Sequence, residues 1–198
     1  MRQNTVRRRG FISGLLSFGL LVGSAVLAGP AQAATSNGPY YAEPAWDQKL
    51  PAATRFIVLL DWSSQAVLDR ETGLVWEKAP ASGLGFGQRG NWSSGLITCA
   101  NKTVGGRKGW RLPSMPELAS LIDPNASTRP FLLSEHPFTS VLPTFYWSAT
   151  TTAFSPENAW GVNFDSGDVE NRNKIAIDVF NIGFPFWCVR GGMNAEAY

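Results

Sequence analysis

The chain has 198 residues, 17 Lys and Arg against 15 Asp and Glu, 44% apolar residues, eight tryptophans, twelve phenylalanines, two cysteines and one histidine. Four of the arginines and none of the acids lie in residues 1–33, which leaves 13 bases against 15 acids, a net charge of −2, in the rest. That balance argues against a global polyanion-binding surface and so against a nucleic-acid partner. A single histidine does not support a His-based metal site.

Residues 1–33 read as an export signal. Arg7, Arg8 and Arg9 precede an apolar stretch at 11–28, and Ala31-Gln32-Ala33 offers the small residues of a cleavage site. Arg8-Arg9-Gly10-Phe11-Ile12 fits the twin-arginine pattern, and an arginine-rich start suits the general secretory route equally well. Both imply an exported chain, in the periplasm, at the cell surface or outside the cell. No membrane span is expected after cleavage. The remaining chain of about 165 residues suits one domain with a normal core.

Residues 34–54 are rich in Pro, Ala and small polar residues and read as an N-terminal arm. The apolar run at 55–60 predicts a strand. Two apolar runs flank Asp69-Arg70-Glu71-Thr72-Gly73, the pattern of a β-hairpin. A glycine-rich loop follows at 79–90. Its spacing fits neither phosphate-binding fingerprint.

Residues 91–104 predict a helix capped by Asn91, with Trp92, Leu96, Cys99 and Ala100 on one face and Gly105-Gly106 ending it. Residues 114–122 predict a second, opened by a Ser114–Glu117 capping box with Pro116 in its first turn. Between them, Trp110 and Leu112 are expected in the core, Arg111 on a carboxylate or carbonyls, and only Arg107 and Lys108 free for a partner. The span 123–144 holds four prolines and reads as irregular. Strands are predicted at 145–150, 159–164, 174–180 and 186–191, with Asp165-Ser166-Gly167-Asp168 as a turn between the second of these and a short return. Early helices and late antiparallel strands make an α+β domain. The first hairpin and the last strand are expected to meet.

Cys99 and Cys188 are both in the exported part. An oxidising compartment and an even count favour one disulfide, and neither cysteine has a Cys-x-x-Cys partner or a histidine nearby.

The ordered set Asp69…Thr72-Gly73-Leu74-Val75-Trp76, Gly109-Trp110-Arg111-Leu112-Pro113…Glu117-Leu118, Tyr146-Trp147-Ser148 and Cys188-Val189-Arg190 resembles the Lcl C-terminal domain family, over about residues 55–192. The tail at 193–198 lies outside it. The resemblance implies a C-type-lectin-like fold, shared with formylglycine-generating enzymes: two helices packed on twisted antiparallel sheets. It also implies a disulfide from the first helix to the last strand, the positions of Cys99 and Cys188. Trp76, Trp110, Arg111, Pro113, Glu117, Trp147 and Arg190 become structural motif residues.

No catalytic residue or cofactor is assigned. Calcium lectins carry Glu-Pro-Asn or Gln-Pro-Asp on a long loop and Trp-Asn-Asp on a strand. Here Ser155-Pro156-Glu157-Asn158 and Trp160…Asn163…Asp165 are reordered echoes, so no motif supports calcium. Formylglycine-generating chemistry needs reactive cysteines, which the bridge uses. His136 sits in a loop sequence, with no nucleophile elbow elsewhere. The reading left is an adhesin-like binding module for a glycan or a protein ligand. Its candidate contacts are Glu157, Asn158, Asn163, Asp165, Glu170, Asn171, Arg172, Asn173 and Lys174, which offer amides, acids and cations. An enzyme on the same fold and a structural protein of the envelope are the rival readings. The oligomeric state stays open.

Overall fold

The structure is a computed structural model that describes residues 50–80, 88–178 and 182–191. Residues 1–33, read as an export signal, most of the arm, the core of the glycine-rich loop, residues 179–181, and 192–198 with the tail lie outside the described residues.

Chain order begins with a one-turn helix α1 (Ala52–Arg55) and strand β1 (Phe56–Val58). The predicted strand at 55–60 is therefore shorter at both ends. Arg55 closes a helical turn onto the Pro51 carbonyl, and residues 60–62 form a 3-10 turn. The expected hairpin is present as β2 (Ala66–Asp69) and β3 (Val75–Glu77), paired antiparallel with Val67 opposite Trp76. β4 (Arg89–Gly90) leads into α2 (Trp92–Ala100).

Asn91 caps α2 by accepting from the Ser94 amide. Within α2, Cys99 and Gly95 are buried, whereas Ala100, expected inward, is exposed. α2 stops at Ala100, short of the predicted Val104, where the next amide, of Lys102, closes a tighter 3-10-type bond onto the Cys99 carbonyl. Gly105 and Gly106 are not its end. They belong to a separate 3-10 turn at Val104–Gly106, where a Cβ on Gly105 would stand 2.6 Å from the Trp62 side chain. Glycine is placed there by that contact.

β5 (Trp110–Arg111) precedes α3 (Met115–Ala119). α3 is shorter than expected but carries the predicted capping box, with Ser114 accepting from the Glu117 amide and Glu117 accepting from the Ser114 amide. The span 123–144 is irregular, apart from one bridge of Ile122 to Leu132. Then come β6 (Phe145–Thr151), β7 (Asn158–Asn163) and β8 (Val169–Asn173).

β8 is the short return expected after the turn, whereas the further strand expected at 174–180 is not formed over its described residues 174–178. The tight turn at 165–168 lets the chain pair at once, with Val169 opposite Val162 and Asn173 opposite Asn158. Residues 174–178 leave the sheet, and Ile175 and Ile177 are exposed. The last predicted strand, 186–191, shortens to Val189–Arg190, and a separate two-residue strand precedes its predicted start. β9 (Phe184–Pro185) pairs with β4, and β10 (Val189–Arg190) pairs with β3 and β5. Residues 184–189 are buried without alternation, so no strand face runs through them.

Among the described residues the strands form three sheets, β1-β2-β3-β10-β5, β4-β9 and β6-β7-β8. The first hairpin meets the last strand, as expected. One core cluster joins the five-stranded sheet to α3 and β6–β7 through Trp76, Leu118, Tyr146, Val162, Phe164 and Trp187. The second gathers Trp110, Leu112, Phe145, Trp147, Phe184 and Phe186 around the Cys99–Cys188 disulfide. Gly161 allows β6 and β7 to close over that cluster, since a Cβ there would meet the Phe145 ring at 2.2 Å. The molecule is a mixed α+β domain with one helix-to-C-terminal-strand-region disulfide.

Candidate functional site

The motif residues lie inside the fold. Trp76 and Trp147 are fully buried; Trp76 packs edge-to-face on Trp187, and Trp147 donates its indole N–H to the Gly90 carbonyl. Trp110 is buried and donates to the Arg107 carbonyl. The buried Pro113 accepts from the Ala149 amide. Arg111 makes a two-point contact with Glu117, at 2.5 and 2.6 Å, and donates to the Gly191 and Leu112 carbonyls. This is the role expected of it. Burial pushes the Glu117 carboxyl up, but the hydrogen bonds from Arg111 and Ser114 and the Arg111 charge outweigh burial and hold it below its ordinary value. Arg190 donates to the Lys108 carbonyl. Arg107, expected to be free, lays its guanidinium over Trp62, 5.6 Å from the ring centre.

Asp69 forms a knot that sequence reading assigned only to a turn. Its carboxylate takes two 2.8 Å hydrogen bonds from Arg55, one from the Thr72 hydroxyl and one from the Glu71 amide. Glu71 also stands 3.3 Å from Arg55, and all four residues are buried. Glu77 was also missed. It is buried against Lys102 at 2.7 Å and accepts from Gln88 and the Cys188 amide.

The model of the Lcl C-terminal domain matches residues 65–190. The chain belongs to the Lcl C-terminal domain family. No curated protein matches it. In this Lcl C-terminal domain the family's ordered motifs are thus the residues that hold the core together, and a binding site has to be sought elsewhere.

The predicted ligand contacts divide between the two faces of the β7–β8 ribbon, because successive strand side chains alternate. Asn158 and Trp160 share one face with Asn171 and Asn173, their opposite partners; Trp160 faces Asn171 and Asn158 faces Asn173. Asn158 Nδ2 donates to Asn171 Oδ1 at 3.1 Å. The Val162 end of this face is sealed into the core, while Trp160 and Asn158 are half-buried and Asn171 and Asn173 exposed. An indole edged by three amides therefore meets solvent. Trp160 is the solvent-facing side chain of this ribbon that sequence reading did not include among the candidates. In the sequence it stands out only as the head of a calcium-like echo, although its alternation with Ala159 and Gly161, both buried, marks it as facing the other way.

Asn163, Glu170 and Arg172 lie on the opposite face. Asn163 donates to Glu170 at 2.9 Å, Glu170 accepts from Arg172 at 2.8 Å, and the Arg172 guanidinium covers the Phe145 and Phe184 rings at 4.7 and 4.6 Å. Asp165 pairs with Arg129 at 3.0 Å. Lys174 donates to the Pro156 carbonyl and sits over Trp92, 4.3 Å from the ring centre. Glu157 is exposed, and its carbonyl accepts from the Lys174 amide.

Asn158 and Asn163 stand at opposite ends of β7, about 16 Å apart at the usual strand rise. The two echoes of the calcium motifs are therefore not brought onto one ion. Among the described residues no three of His, Cys, Asp or Glu gather as a metal site would require. His136 is half-buried and tilted against Phe138, and burial pushes its pKa down.

Proposed function

We propose that this Lcl C-terminal domain is an exported, non-catalytic, glycan-binding module of C-type-lectin-like architecture. The observation that carries the reading is the open β7–β8 face, where Trp160 lies among Asn158, Asn171 and Asn173. A sugar ring presents C–H groups on its faces and hydroxyls around its rim. An indole packs the former, and carboxamides both donate to and accept from the latter. The Asn158–Asn171 hydrogen bond fixes two of the amides before any ligand arrives, which lowers the entropic cost of binding.

Two further observations support the architecture and the absence of chemistry. The disulfide joins α2 to the segment entering β10, and the hairpin β2–β3 closes on β10, the arrangement expected of a lectin-like fold. Both cysteines are consumed by that bridge, so the thiol chemistry of formylglycine-generating enzymes has no nucleophile here. Export and an envelope or extracellular location rest on residues 1–33. No bound metal is part of the proposal.

Glycan-array binding with and without chelator tests the reading. Binding that survives chelation and is lost in Trp160→Ala is the expected result. Binding to no glycan under either condition overturns it and moves the ligand to the protein class.

A further inference from the structure

We propose that the free edge of β8 is a pairing surface for a second copy of this chain, the two strands running antiparallel about a two-fold axis at Asn171. β8 ends its sheet, with β7 on one side and, among the described residues, no strand on the other. Its pairing with β7 fixes which backbone groups point outward. The Lys174 amide donates to the Glu157 carbonyl, and the Asn163 amide donates to the Asp168 carbonyl. Hydrogen-bonded positions alternate along an antiparallel strand. Glu170 and Arg172 therefore turn their amides and carbonyls toward β7, and Val169, Asn171 and Asn173 turn theirs to the open edge. Among the described residues, the Asn173 carbonyl alone of these outward groups has a partner, the Ala176 amide at 2.8 Å.

An unpaired edge is commonly blunted by proline, lysine, a bulge or charge. β8 reads Val-Glu-Asn-Arg-Asn and pairs with β7 in unbroken register. It has no proline, lysine or bulge, and charge is the device left. That charge repels most registers and selects one. With Asn171 opposite its own counterpart, Glu170 faces Arg172 of the second copy, Arg172 faces Glu170, and Val169 faces Asn173. The neighbouring symmetric registers, centred on Val169 or Asn173, set Glu170 against Asp168 or Arg172 against Lys174, and like charges directly opposite destabilise a pair. Within each copy Glu170 already pairs with Arg172 at 2.8 Å, so the axis brings two formed ion pairs together with their signs alternating.

The same register matches the backbone. Asn171 exchanges two hydrogen bonds with its counterpart and each Val169–Asn173 pair two more, about six in all. The second lone pair of the Asn173 carbonyl serves here beside its bond from Ala176. Five residues a side make a small interface, of the class that associates weakly and reversibly. A two-fold axis perpendicular to the sheet keeps the same face of both copies on one side, so the two Trp160 faces lie side by side and a multivalent glycan meets both. That consequence rests on the glycan reading; the pairing does not.

Both native cysteines are in the disulfide, so a single introduced cysteine reports the register. Opposite Cα atoms in a hydrogen-bonded antiparallel pair are about 5.5 Å apart, within reach of a disulfide. Asn171→Cys in the full chain should therefore give a disulfide-linked dimer under mild oxidation. Asn173→Cys should link at least roughly tenfold more slowly, since its counterpart is offset by about 13 Å along the strands. Sedimentation equilibrium of the unaltered chain should show a monomer–dimer equilibrium. Glu170→Lys sets like charges opposite Arg172 and should raise the dimer Kd roughly tenfold or more. Val169→Pro removes an outward amide that the single copy does not use; it should weaken the dimer likewise and leave the thermal midpoint of the dilute chain in place. A monomer at every concentration up to about 1 mM, cross-linking as fast at Asn173 as at Asn171, or a dimer indifferent to both edge variants overturns the proposal.

Discussion

The five-stranded sheet and the three-stranded sheet use their polar residues in opposite ways. Around the first, Arg55, Asp69, Glu71, Glu77 and Glu117 are all buried, and each is tied to partners in the fold. On the outer face of the second, Asn158, Asn171 and Asn173 reach solvent beside a tryptophan and bond mainly to each other or to the adjacent turn. A buried charge is costly unless paired, so it stays only where its partners are fixed. An amide on a strand surface carries no such constraint and is available to a ligand. The residues by which the family is recognised are mostly buried in the fold, Trp76, Trp110, Glu117 and Trp147 among them, and are therefore poor guides to any ligand.

The largest effect should come from breaking the Asp69 knot. Asp69→Ala leaves Arg55 buried without its two-point partner and should cost about 3–5 kcal/mol in urea unfolding. Replacing both, as Arg55→Met with Asp69→Leu, should recover much of that loss, since no lone charge remains. A cost well under 1 kcal/mol for Asp69→Ala would mean that buried pairing does not hold this half of the molecule.

Removing the disulfide comes next. The Cys99→Ser, Cys188→Ser double variant should lose about 2–5 kcal/mol, in keeping with a bridge across 89 residues. Intact mass with and without reductant checks the bridge itself, and two free thiols in the native chain would remove its contribution.

Glu117→Gln should be milder, about 1–3 kcal/mol at neutral pH, because one charge-assisted contact to half-buried Arg111 is weakened. Its pH dependence is the sharper readout. The folded carboxyl titrates below its ordinary 4.5, so its contribution is present above that value and is lost as pH falls through the folded value. The difference between wild type and variant should shrink on acidification below about pH 4.5. A difference that stays constant with pH would assign the loss to shape rather than charge.

Much of this was legible in the sequence where local chemistry decides. The Asn91 cap, the Ser114–Glu117 box and the β2–β3 hairpin follow from residues within a few positions of one another. The disulfide followed from compartment and count. What escaped was set by distant contacts. Gly105 serves Trp62, forty-three residues earlier in the chain, rather than ending a helix. Arg55 looked like the edge of an apolar strand, yet its partner is fourteen residues away across a sheet. The short return β8 was legible in the turn at 165–168, which fixes pairing one residue after it closes; the further strand expected at 174–180 failed because "KIAI" has strand propensity but leaves the sheet at Lys174. For the candidate site, the sequence marked one segment but not its two faces. Only the register separates Asn171, beside Trp160, from Arg172, beside Ala159.

The register makes the smallest stability prediction the most informative about function. Trp160 is half-buried and lies at the open end of its face, outside both core clusters. Trp160→Ala should therefore change unfolding stability by no more than about 1 kcal/mol, far below the 3–5 kcal/mol typical of a core tryptophan. Trp147, which is fully buried and donates to Gly90, supplies that core comparison within the same sheet. Glycan binding should respond in the reverse order. Loss of the indole removes the packing surface at the centre of the array and should weaken binding by about 2 kcal/mol, roughly thirtyfold. Asn171→Ala removes one amide and should cost about 1 kcal/mol. A Trp160→Ala chain that unfolds as easily as a core variant would place this residue with the buried polar knot on the structural side of the molecule. A chain that keeps both its stability and its glycan affinity would leave the open face without a function.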